Sequence, residues 1–184
     1  RSGAEGMRMH RKIFFSITIL IFLVLPLYSV TTPDVTAVPD STNTYSQYTI
    51  TSGVRNTGNA NIRANEDSIR IRFNSFTTVP TSINAAYLTV NNTTANVVVV
   101  RDSIISILSP VNIPRNGSFT VVIREQAQIK NPPSAGDYYL YMSSNRGPDA
   151  DVWEISNAYT ISPSNSNVSA AAVTPDPSIA SEFA

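Results

Sequence analysis

Cysteine is absent from the 184-residue chain, and its single histidine is His10. The missing thiols exclude a disulfide framework, a thiolate metal site and lipid attachment at a cysteine. A chain whose lone histidine precedes an apolar leader segment has no Ser-His-Asp, Cys-His or histidine-zinc chemistry in its mature part. Charge is also scarce, at 14% Asp, Glu, Lys and Arg. Four of the basic residues, Arg1, Arg8, Arg11 and Lys12, precede the apolar segment. Beyond Ser29, nine Lys and Arg face twelve Asp and Glu. A weakly acidic chain with scattered arginines lacks the electrostatic footprint of a nucleic-acid binder and has no polybasic patch for an anionic membrane.

What is present points to export and strands. Met9 to Lys12 is basic, and Ile13 to Leu27 is nearly all apolar, interrupted only by Ser16 and Thr18. A basic start, an apolar run of about 15 residues and a small residue behind it form a secretory signal. We place it at residues 9–29, with cleavage after Ser29 and the membrane touched only through this leader before cleavage. An uncleaved anchor is the alternative, for which the run is short, since a span needs roughly 20 residues. Residues 1–8 read as upstream read-through. The length beyond the leader suits one domain with its own core, at 30–162. Residues 163–177 have the Ser/Asn/Ala/Pro composition of a linker. Residues 178–184 follow a Pro-Asp pair, as the domain start does at Pro39-Asp40, and are read as the opening of a second repeat.

Thr, Ser, Asn, Val and Ile dominate the mature part, which favours strands and turns over helices. Period-2 alternation recurs from Tyr48 onward. Tyr48 and Ile50 form one inward set. Ile69, Ile71 and Phe73 form a second, with Arg70 and Arg72 facing solvent. Ala86, Leu88 and Val90 follow, then Ile105 and Ile107, then Phe119, Val121 and Ile123. Tyr138, Leu140 and Met142 are expected inside, with Tyr139 and Tyr141 outside. Val97 to Val100 is a continuous apolar run, the pattern of a strand covered on both faces. Trp153, the only tryptophan, is expected in the core, and a last strand lies near Tyr159 and Ile161. Asn91 to Thr94 reads as a hairpin tip, Asn116-Gly117 as a hairpin turn, and Asn131 to Gly136 as a turn stiffened by two prolines. The prediction is an all-β, Ig-like antiparallel sandwich of about seven to eight strands, preceded by an apolar leader helix.

Several segments together resemble an Ig-like repeat of large bacterial and archaeal cell-surface proteins, adhesin-like or S-layer-like. They are Tyr48-Thr49-Ile50, Ile69 to Phe73, Val79-Pro80-Thr81-Ser82-Ile83, Thr89-Val90-Asn91, and Asn131-Pro132-Pro133-Ser134-Ala135-Gly136-Asp137-Tyr138-Tyr139-Leu140. The resemblance covers about Val35 to Ile161. It departs at Ser52 to Ala60, where an apolar strand end is replaced by polar residues. It implies a tandem spacer or adhesive module with no catalytic residues, whose partners are neighbouring repeats or other surface proteins.

Candidate sites are few. Tyr139 and Tyr141, two residues apart, would form an aromatic platform about 7 Å long for a sugar ring or partner sheet; a covered or inverted face is the plain alternative. Glu66, Asp67, Asp149 and Asp151 are loop carboxylates and weak calcium candidates, far short of the six to eight oxygens calcium takes. Solvated charge explains them as well, and no cofactor is expected. Paired carboxylates for glycoside hydrolysis lack any sign of a cleft between them. The reading is a non-catalytic structural or adhesive module, not an enzyme. A carbohydrate-binding module of a secreted enzyme is the alternative. A second is a filament subunit in which Val30 to Tyr45 adds as a strand to a neighbour, although Pro33 and Pro39 would interrupt its ladder.

Overall fold

The structure, a computed structural model, describes residues 30–55, 61–145 and 152–164. The leader (9–29), nearly all of the linker and the repeat start (178–184) lie outside the described residues, as do Asp149 and Asp151. Among the described residues no helix is long and apolar enough to cross a membrane.

The fold is an all-β antiparallel sandwich. Twelve strands are described: β1 Asp34–Val38, β2 Gln47–Gly53, β3 Ser68–Arg72, β4 Leu88–Val90, β5 Thr93–Thr94, β6 Val98–Arg101, β7 Ile104–Leu108, β8 Ser118–Ile123, β9 Gly136–Tyr138, β10 Tyr141–Ser144, β11 Glu154–Ile155 and β12 Tyr159–Ile161. That exceeds the expected seven to eight because several are strands of two or three residues. The first sheet runs β1-β2-β8-β4-β5 and the second β11-β10-β3-β7-β6, while β9 and β12 form a separate pair.

Register explains the core. In the first sheet Val35, Ile50, Val121 and Val90 line up across neighbouring strands, and Ala37, Tyr48, Ile123 and Leu88 form the next row. The second sheet answers with Ile107, Ile69 and Val98, then with Met142, Ile71, Ile105 and Val100. Alternate side chains face alternate sides of a strand, so these rows meet as one buried cluster, with Val98 and Val100 partly buried against it. Full burial of a Val, Leu or Ile side chain contributes about 1.5–3 kcal/mol, which makes this cluster the main stabilising feature of a fold without cross-links.

Several local readings change. Ala86 is exposed in a 3-10 turn, Ala85–Tyr87, instead of on an inward strand position, because Asn84 caps that turn through its side chain. Asn91 and Asn92 do form the β4–β5 tip, both with positive φ. Asn116-Gly117 is not a hairpin: β7 and β8 belong to different sheets, and this turn carries the chain between them. Gly117 is required there by close approach, since a Cβ would lie 2.8 Å from the Pro114 carbonyl oxygen. The true second hairpin tip is Asp102-Ser103, also at positive φ, joining β6 to β7. Val97 to Val100 is not covered on both faces: β6 is an edge strand, with Val97 and Val99 about half exposed. The segment proposed as a donor strand pairs within its own chain. β1 fits between Pro33 and Pro39 and buries Val35 and Ala37 against β2.

Candidate interaction face

The alternation that buries Ile69 and Ile71 turns Arg70 and Arg72 outward on β3. Antiparallel pairing sets Tyr141 of β10 opposite Arg72, and Ile155 of β11 opposite Tyr141. Trp153 enters β11 one residue before Glu154, so it shares the outer side with Ile155. The Arg72 guanidinium carbon lies 4.8 Å from the Trp153 ring centroid and 4.5 Å from that of Tyr141. Arg70 approaches Trp153 at 5.5 Å. Each such cation–π contact is worth roughly 0.5–1 kcal/mol where solvent still reaches it.

Trp153 is therefore not a core residue. Its neighbour Glu154 takes the inward position, buried beneath Thr32 and Arg55. Thr32 Oγ1 donates to Glu154 Oε1 at 2.7 Å, and Arg55 Nη2 lies 3.5 Å from Oε2. With Glu154 facing in, period-2 geometry puts the indole outside. No local pattern marks this, because the inward place of Glu154 is set by Thr32, 122 positions away, and by Arg55.

Beyond Arg70 the face continues over Ser106 and Ile104 of β7 to Val99 and Arg101 of β6, enclosing with Trp153 a shallow cavity of about 230 Å³. Among the described residues, the outward positions of β3, β6, β7 and β10 carry three arginines and no carboxylate. The face is cationic, aromatic and partly aliphatic.

Tyr139 and Tyr141 both avoid the interior, while Leu140 and Met142 are fully buried and Tyr138 is half-buried. They do not share one strand. Tyr139 is in the connection where the chain leaves β9 and enters the second sheet, and its carbonyl accepts from Asn74 Nδ2 at 3.4 Å. Tyr141 is instead part of the Arg72–Trp153 stack. Glu66 and Asp67 are both taken up by Arg63, at 2.6 and 3.5 Å, and Asp67 also accepts the Arg63 amide at 2.8 Å. They close a turn ahead of β3. Among the described residues no group of three or more His, Cys, Asp or Glu is gathered to hold a metal.

The larger groove, about 460 Å³ and open to solvent, lies at the Thr31–Asp34, Thr51–Arg55 and Asn116–Ser118 segments. Its lining holds one carboxylate, Asp34, and so presents no acid–base pair among the described residues. Titration is perturbed instead in the interior. Burial, with repulsion from Tyr159, pushes the Tyr48 phenol well above its ordinary value, and burial pushes Tyr159 up to about 12. Both rings are packed edge-to-face at 6.0 Å, and Phe73 packs the same way on Tyr48 at 5.0 Å.

Fold and face together define an antiparallel β-sandwich domain with an aromatic–arginine patch on one sheet. No family model matches the chain, and no curated protein matches it. Among solved structures it is similar to the crystal structure of BslA, a bacterial hydrophobin, at 12% identity and a TM-score of 0.45, over 73% of this chain and 99% of that one.

Proposed function

We propose that this domain is a non-catalytic structural or adhesive module of an exported cell-surface protein, a unit of the Ig-like tandem-repeat kind, and that it meets its partner through the outer face of the second sheet. The observation that carries the reading is the position of Trp153 and Tyr141 around Arg72, outside the core. Tryptophan, tyrosine and arginine are the side chains that dominate binding energy at protein interfaces. Their clustering on a face without a carboxylate among the described residues suits a neighbouring repeat or another surface protein. Export rests on residues 9–29. The non-catalytic reading rests on the absence of cysteine and the confinement of histidine to position 10.

A carbohydrate-binding role is the second reading, favoured by the same Tyr141 and Trp153 rings, since aromatic faces stack on sugars. One experiment separates the two. Microspheres coated with the full chain are mixed with intact cells that display it, and in parallel with a panel of neutral and acidic polysaccharides. Capture by cells is expected, with loss in the Tyr141→Ala plus Trp153→Ala variant, which stays folded at the assay temperature with a melting temperature lowered by only a few degrees. Capture that survives in the variant overturns the assigned face. Capture that persists on protease-stripped cells, with polysaccharide binding, moves the function to glycan recognition.

A further inference from the structure

Strand β6 is the exposed edge of the second sheet, and it carries little of the protection other edges have. β1 lies between two prolines and is tied at both ends: the Asn157 amide donates to the Pro33 carbonyl at 2.9 Å, and the Ser162 amide to that of Asp40 at 2.7 Å. β5 and β11 are two residues long. β6 has four residues, extends a run of valines from Val97, and contains no proline, lysine or carboxylate. Edges of that kind are templates for another strand.

The ladder fixes which backbone groups are on offer. Leu108 donates its amide to the Val97 carbonyl at 3.0 Å, and the β6–β7 register pairs Val99 with Ser106 and Arg101 with Ile104. In an antiparallel pair, hydrogen-bonded positions alternate. Val97, Val99 and Arg101 therefore bond inward to β7, and the amides and carbonyls of Val98 and Val100 point away from the sheet.

We infer that β6 pairs antiparallel with β6 of a second copy of this chain, about a twofold axis at Val99, joining two second sheets edge to edge. The proposal goes beyond the partner face above and does not depend on it. The reason is self-complementarity. Centring on Val99 sets Val98 against Val100 of the partner subunit and Val100 against Val98 of the partner subunit. That register engages both outward-facing residues of each copy within the strand and forms four main-chain hydrogen bonds. It places Val99 against its own copy and Arg101 against Val97 of the partner subunit, so no like charges are opposed. β-branched side chains facing each other across strands are a favourable pairing. The contact is small beside the roughly 1,200 Å² of stable complexes. Pairing is weak in dilute solution and strengthened where many copies are held together at a surface.

The absence of native cysteine makes the test clean. Directly opposed residues at a non-hydrogen-bonded site have Cα atoms about 4.5 Å apart, within the range of about 4.4–6.8 Å that a disulfide spans. Val99→Cys in the full chain is therefore expected to form a covalent dimer under mild oxidation. Dimerisation should be roughly ten-fold faster than for Phe76→Cys, an exposed position away from this edge, because pairing raises the effective thiol concentration. Adding Val98→Pro should abolish the difference in a variant that still folds, since that amide faces away from the native ladder, with the melting temperature lowered only by the lost packing of the Val98 side chain on the core. Equal rates for the two cysteine variants overturn the proposal. So does a rate insensitive to Val98→Pro in a folded variant. A thiol in the Val99→Cys monomer that is shielded from small reagents would overturn it as well, since the chain would then cover its own edge.

Discussion

Tyr48 donates its buried hydroxyl to Asn131 Oδ1 at 2.6 Å, joining a core strand to the turn that precedes β9. The Asn131 amide nitrogen donates in turn to the carbonyls of Pro39 and Ser41, at 3.0 and 2.8 Å. One side chain thus satisfies three groups in the interior between the end of β1, β2 and the Asn131–Gly136 turn. An asparagine that looked like turn punctuation is a buried latch, 2% exposed.

Asn131→Ala is expected to destabilise the domain by about 3 kcal/mol, because it removes three hydrogen bonds at roughly 1 kcal/mol each: the acceptor of the buried Tyr48 hydroxyl, and one of the two donors to each of the Pro39 and Ser41 carbonyls, which keep Ser46 and Thr44. Tyr48→Phe removes one donor and should cost about half as much. Urea unfolding midpoints at constant slope measure both. A loss for Asn131→Ala of no more than about 0.5 kcal/mol, the scale of surface changes, would mean that water replaces the amide.

Alkaline pH should unfold the domain through Tyr48 and Tyr159. Both phenols are raised in the folded state above the ordinary value of 10.0. Below pH 10 neither folded nor unfolded chain ionises them, and their contribution to stability is fully present. Above it the unfolded chain releases protons that the folded chain retains. Stability then falls as pH rises through about 12 for Tyr159, and further for Tyr48. The slope reaches at most about 2.7 kcal/mol per pH unit for the two together. Urea midpoints at several pH values should be flat up to pH 10 and fall beyond it, and Tyr48→Phe should roughly halve the fall. A midpoint that is flat at high pH would place these rings in contact with solvent.

Trp153→Ala should cost about 1 kcal/mol, since the indole lies on the outer face against Arg70 and Arg72. Ile105→Ala, at a fully buried position, should cost about 3 kcal/mol through lost burial and a cavity. Thermal melts of the two variants give the comparison directly. Equal losses would put Trp153 in the interior.

Most of the core was legible along the chain. Tyr48, Ile50, Ile69, Ile71, Phe73, Ile105, Ile107, Phe119, Val121 and Ile123 are all buried as their alternation predicts. The Asn91-Asn92 tip was legible too, because asparagine tolerates the positive φ that such a turn needs. Asn116-Gly117 carries the same local chemistry yet joins different sheets. Trp153 was misplaced because a large aromatic residue was assigned by its hydrophobicity, whereas the face it occupies is set by where Glu154 finds Thr32 and Arg55.

The sequence by itself determined the class and the inward face of each long strand, since side-chain alternation is a property of the extended backbone and needs no partner. Only the tertiary structure decided which strands are neighbours and which is last in its sheet. Four consecutive valines read the same at a covered centre as at an open edge; β6 is an edge because β7 has β3 on its other side and nothing described lies beyond β6. The Arg72–Tyr141–Trp153 stack was decided in the same way, by pairing between residues some 70 to 80 positions apart, which no local pattern records.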